Sequence, residues 1–234
     1  MAIFDDSSRY LDKFGLVLTF TVVSVVLLSL VDLSDIHSDR TQQATAVVAS
    51  TLTALALLFA LRASGVSRRW LRIADVVVVA GLILSALLVA VGPSVAVHPA
   101  AEAPPAFPLL LAVVAPIVVV RRLLGHRRVR RSTLLGAVSV YLLIALAAFY
   151  AFLTVQGIQA QSFFAQPGPT SDLMYFSLST ITTVGYGDLT AVAQPGRLLA
   201  NTEAVVGQLY LVTFVGLLIG ILTTQQTRSE QQDP

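Results

Sequence analysis

The residues of this chain that could do chemistry are not those of an enzyme. Ser, His and carboxylate side chains are nowhere grouped, and there is no phosphate loop. The three histidines, His37, His98 and His126, lie far apart and show no zinc spacing. Cysteine is absent, which excludes disulfides, thiolate–metal sites and thiol chemistry. One segment stands out instead: Ser171 to Asp188, ending in Thr183-Val184-Gly185-Tyr186-Gly187-Asp188. Glycines two residues apart permit positive φ at low cost, so this backbone is free to alternate its handedness.

The elements that must position this segment are membrane helices. Of 234 residues, 56% are hydrophobic and only 12% charged, against about 25% in soluble proteins, and mean hydropathy is +0.80. A disordered chain and a coiled coil are excluded by the same figures. A crossing needs about 20 apolar residues. Candidate spans are 14–33, 44–61, 73–92, 107–120, 134–155 and 198–223, none with strand-like alternation. The first follows a net negative stretch (Asp5, Asp6, Arg9, Asp12, Lys13) and no A-x-A site follows it, so it reads as a retained helix and not as a signal peptide. The fourth is short and contains Pro116, which predicts a kink.

Loop charge sets the topology. Residues 62–72 hold four Arg; residues 121–131 hold six Arg and His126. Loop 32–43 carries Asp32, Asp35 and Asp39 against Arg40, and loop 93–106 carries Glu102 and no Lys or Arg. The positive-inside rule places the first two in the cytoplasm and the others outside. Six crossings with both termini cytoplasmic satisfy every loop. The fold class expected is an all-α integral membrane protein of six transmembrane helices, with the segment Ser171 to Asp188 between spans five and six.

In that place, on the external side, TVGYGD resembles the potassium channel family, and residues 134–223 fit its outer helix, pore helix, filter and inner helix. The resemblance implies that backbone carbonyls of Thr183, Val184, Gly185 and Tyr186 replace the water shed by a K⁺ ion, with the Thr183 hydroxyl as the innermost ligand and Gly187 supplying backbone freedom. One chain supplies one filter strand, so it also implies a homotetramer with the pore on its fourfold axis. Permeant K⁺ is the expected ion, and no organic cofactor is expected. Residues 171–182 are expected to form the pore helix, with Thr170 or Ser171 as its cap and Asp172 at the positive end of its dipole.

The sequence departs from the family pattern behind the filter. Tyr175 and Phe176 stand where many members carry paired Trp, and Ser179 stands where some carry Glu. That removes a carboxyl–carboxylate pair and leaves Tyr175, of its own or a neighbouring chain, as a partner for Asp188. Filter support is thus expected from Asp188, Tyr175 and Ser179. Gly207 falls where the family's hinge glycine falls, close helix packing being its other reading. Gly216 and Gly220 read as packing glycines, and Glu203 as an interface or dipole-favouring residue in the first turn of span six. Val215, Ile219 and Thr223 are expected to face the cavity, with a hydrophobic gate near Ile219–Thr223.

Residues 14–120 resemble a voltage-sensor domain in topology but not in chemistry. The fourth span, Pro108 to Val120, has no charge, whereas moving charge through the field yields about 2.3 kcal/mol per charge per 100 mV. Conventional voltage gating is therefore not expected. Asp75, near the inner end of span three, reads as a salt bridge to Arg72 or Arg121 or as a helix-start carboxylate. The linker 121–133 places Arg121, Arg122, Arg127, Arg128, Arg130 and Arg131 beside the membrane. This enforces topology and is also a candidate site for anionic lipid head groups, at about 1 kcal/mol per basic residue. Nucleic acid is not an expected partner, because stacking residues are not interleaved with the basic ones. Segments 1–13 and 224–234 are expected in the cytoplasm, and the tail leaves no room for a ligand-sensing domain. The expected location is a plasma (inner) membrane, and the Arg-, Ala- and Val-rich composition suggests a bacterial source. Two other functions share these features: a weakly selective cation channel, and a K⁺ uptake-transporter subunit. The intact TVGYG disfavours the first and the single pore repeat the second.

Overall fold

The computed structural model describes residues 7–30, 55, 58, 72, 76, 106–124, 131–159 and 162–230. Spans two and three apart from Leu55, Leu58 and Val76, together with Asp75, Arg127, Arg128 and Arg130, lie outside the described residues. The described chain is helical: α1 (Ser7–Leu30), α2 (Ala106–Leu124), α3 (Arg131–Ile158), α4 (Thr170–Ile181), α5 (Gln194–Leu209), a π-helical turn at Tyr210–Val215, and α6 (Gly216–Glu230).

Among the described residues, two helices are long and apolar enough to cross a membrane, Thr133–Ile158 and the continuous Gln194–Ile221. Phe14–Leu30 and Ala112–Arg121 are shorter apolar helices. In α1, Phe14, Val17, Thr21, Ser24, Val25 and Leu28 are buried, while Leu16, Val22, Val23, Val26 and Leu30 face outward. That stripe has helical spacing. The buried hydroxyls of Thr21 and Ser24 donate to the carbonyls of Val17 and Phe20, each 2.8 Å away, so both are satisfied within the helix. In α2, Ala112, Ala115, Val119 and Leu123 form the corresponding stripe, and Pro116 is buried within the helix.

Both helices pack on α3, and Gly136 is where they close in. A Cβ there would lie 3.1 Å from both Phe14 Cδ1 and Leu123 Cδ2. Helix α1 also reaches α4. The element ends differ from the sequence expectation by a few residues. Helix α1 begins at Ser7 and stops at Leu30, and α2 runs on through Arg121 and Arg122. The last helix starts at Gln194, where Ala193 is its N-cap and Pro195 sits in its first turn, and continues to Glu230. The linker 121–133 is therefore helical at both ends, and the residues from 224 to 230 belong to α6.

Candidate functional site

Helix α4 is a short helix between α3 and α5, packed against both. Its N-cap is Pro169, with no side-chain cap bond, so neither Thr170 nor Ser171 caps it. Asp172 lies in the first turn, where the dipole favours an acid. Leu173, Met174, Phe176, Ser177 and Ile181 are buried and fix the helix against its neighbours.

A helix end leaves its last four carbonyls without intrahelical partners. Here each has a donor. The Leu178 carbonyl accepts from Thr182 N at 3.1 Å and from the Thr182 hydroxyl at 2.6 Å. The Ser179 carbonyl accepts from Val184 N at 3.0 Å and Gly185 N at 3.1 Å, and the Thr180 carbonyl from Thr183 N at 3.0 Å. The Ile181 carbonyl accepts from the Tyr141 hydroxyl of α3 at 2.7 Å. The strand 183–187 thus hangs from the end of α4. Ser179 holds it through its main chain, because the Ser179 hydroxyl turns back to the Phe176 carbonyl at 3.1 Å.

The strand has an unusual backbone. Thr183, Gly185 and Gly187 have φ of 60°, 53° and 82°, whereas Val184 and Tyr186 between them keep negative φ. An ordinary extended strand turns its carbonyl over at each residue. Alternating the sign of φ cancels that reversal, so successive carbonyls can share a side. Glycine supplies two of the positive values without a steric cost. Thr183 does not: a left-handed non-glycine residue costs roughly 1–2 kcal/mol, and the hydrogen bonds on either side of it hold it there.

Downstream, the Tyr175 hydroxyl donates to Asp188 Oδ2 at 2.9 Å within the same chain, and Asp188 Oδ1 accepts from Leu189 N at 3.0 Å. The Tyr175 and Tyr186 rings stack 5.9 Å apart at 8°. Loss of water around the phenol, and after it the Asp188 carboxylate, raise the Tyr175 pKa above its ordinary value, which keeps the phenol a donor. Phe152 of α3, Phe163, Phe164 and Phe176 of α4 form an aromatic cluster with ring centroids 5.0–5.9 Å apart. The loops before α4 and after the strand meet in a short antiparallel bridge, Phe164 to Ala191, with Val192 N donating to the Phe163 carbonyl at 3.1 Å. Gly196 leaves room for this: a Cβ there would lie 2.9 Å from Phe163 Cε2.

The continuous run from α5 through the π turn into α6 presents Glu203, Gly207, Tyr210, Phe214 and Leu218 to the core. A Cβ on Gly207 would lie 2.5 Å from Ile181 Cγ1, so this glycine marks a close approach to the end of α4. The helix stays α-helical through Gly207, and its irregular turn comes three residues later, at Tyr210–Val215. Around Gly216 and Gly220 a Cβ would meet nothing within the chain. Tyr210 donates to the Ala137 carbonyl at 2.8 Å and stacks on Phe214. Thr213 donates to the Leu209 carbonyl. Val215 is half-buried against the core, while Ile219 and Thr223 are exposed. Glu203 lies in the third turn and not the first. It is buried, with Oε1 2.6 Å from Ser177 Oγ, and Ser177 Oγ is also 2.8 Å from the Ala145 carbonyl. Among the described residues no group of His, Cys, Asp and Glu could hold a metal ion.

Sequence reasoning placed the strand 183–188 and the Tyr175–Asp188 pair but missed Tyr141, Tyr210, the aromatic cluster and the Glu203–Ser177 contact. Polar residues at Glu203 and Ser177, within helices that pack together, were the one available signal for the last.

Residues 137–224 match the family model described as an ion channel. Over that stretch the chain is similar to ion channels. The matched stretch is α-helical, and it includes most of both helices that are long and apolar enough to cross a membrane. No curated protein and no solved structure matches the chain.

Proposed function

We propose that this channel domain selects K⁺. The observation that carries the reading is the alternating φ along Thr183–Gly187, in a strand hung from the end of a short pore helix. Carbonyl oxygens of Thr183, Val184, Gly185 and Tyr186 then form rings in place of the hydration shell, once several chains surround one axis. Four chains supply the rings. Val205, Leu209, Val212 and Ile219 leave an exposed apolar face on the inner helix for the neighbouring subunits. Tyr175 and Asp188 brace the outer end of the filter.

Opening takes place at a hydrophobic constriction near Ile219–Thr223, below the π turn. Voltage has little hold on it, because α2 carries no charge before Arg121. Anionic lipid bound at Arg121, Arg122, Arg127, Arg128, Arg130 and Arg131 biases opening through the linker into α3. The channel works in the plasma membrane with both termini in the cytoplasm and passes K⁺ passively. The test is a reversal potential under opposed K⁺ and Na⁺ in planar bilayers. Reversal near the K⁺ potential is expected; reversal near zero overturns the reading.

A further inference from the structure

Glu203 is 4% exposed, and its Oε2 has no hydrogen-bond partner among the described residues. Its Oε1 lies 2.6 Å from Ser177 Oγ, which in turn lies 2.8 Å from the Ala145 carbonyl oxygen. A carbonyl oxygen only accepts, an ionised carboxylate only accepts, and a serine hydroxyl owns one proton. Two hydrogen bonds in this row of three oxygens require two protons. Ser177 supplies one, to Ala145 or to Glu203. The other has to come from the carboxyl group.

We infer that Glu203 is a neutral carboxylic acid, a proton-binding site that ties the inner helix α5 to the pore helix α4 and, through Ser177, to the outer helix α3. The acid donates to Ser177 Oγ, and Ser177 donates to Ala145. An ionised Glu203 leaves one bond of the row unmade and a carboxylate oxygen unpartnered in an apolar site, which is costly. The groups facing it do not compensate. Tyr141 of α3 has its hydroxyl committed to the Ile181 carbonyl. Tyr210 of the π turn donates to Ala137, and Arg197, on α5, directs its Nε to the Ala191 carbonyl. Loss of the proton at alkaline pH therefore loosens the seat of the pore helix, and with it conduction.

The test is infrared difference spectroscopy on the full chain in lipid vesicles, a readout independent of ion selectivity. At neutral pH the wild type is expected to show a protonated-carboxyl band that is missing from Glu203→Gln. Ser177→Ala, which removes the acceptor, is expected to shift that band to higher frequency. In bilayers, Glu203→Gln keeps a donor at every pH, so its current is expected to resist the alkaline loss seen in the wild type. No band attributable to Glu203, an unshifted band in Ser177→Ala, failure of the isosteric Gln variant to assemble, or an alkaline loss identical in Glu203→Gln would each overturn the inference.

Discussion

Gly207→Ala separates close packing from hinge bending. The added methyl carbon would sit 2.5 Å from Ile181 Cγ1 and 3.4 Å from both Ile181 Cδ1 and the Ile181 carbonyl oxygen. Carbon atoms prefer about 3.5–4.0 Å. Ile181 is fully buried, and its carbonyl is held by Tyr141, so it has little room to yield. Overpacking of this kind costs about 1–3 kcal/mol. Alanine returns about 1 kcal/mol of helix propensity. The net expectation is a loss of about 1 kcal/mol, seen as a fall in melting temperature of about 2–4 °C. A second substitution sharpens the test. Ile181→Ala alone costs about 2–5 kcal/mol, but in its background the Gly207→Ala methyl enters vacated space. The double-mutant cycle, read from thermal melts of purified channel, is expected to show favourable coupling of about 1–3 kcal/mol. Strict additivity, or a Gly207→Ala variant with an unchanged melt and altered opening, would refute the packing account in favour of a hinge at Gly207.

Further outcomes follow from the same geometry. Tyr175→Phe removes the phenol that donates to Asp188, and is expected to shorten the conducting lifetime in single-channel records while leaving assembly intact; an unchanged lifetime would show that the pair does not brace the filter. Neutralising Arg127, Arg128, Arg130 and Arg131 together is expected to flatten the dependence of open probability on anionic lipid, measured across vesicle compositions; a retained dependence places lipid control elsewhere. Ile219→Asp, at an exposed apolar position on the inner helix, is expected to keep the constriction hydrated and raise resting open probability; an unchanged closed fraction moves the gate away from Ile219.

What could be read from the sequence was local. The spacing of Gly185 and Gly187 announces alternating handedness because glycine alone makes positive φ cheap. Thr183 gave no such signal: its φ of 60° is imposed by hydrogen bonds from the end of α4, and a β-branched residue does not advertise it. The Tyr175–Asp188 bond spans 13 residues and joins two parts of one segment already recognised. The Tyr141 and Tyr210 hydroxyls reach across 40 and 73 residues to carbonyls on other helices, and hydropathy treats both as ordinary membrane aromatics. Glu203 reads as a helix-start acid when the apolar run from 198 alone marks the start of span six. Moving that start to Gln194 places it in the third turn, behind the pore helix. The π turn at Tyr210–Val215 contains neither Pro nor Gly, so no residue type marked it.

The central claim is that the alternating backbone of Thr183–Gly187 lines a K⁺-selective pore. The most direct measurement places purified channel in a planar bilayer with K⁺ on one side and Na⁺ on the other. The account predicts current reversing near the K⁺ equilibrium potential. Reversal near zero would contradict it.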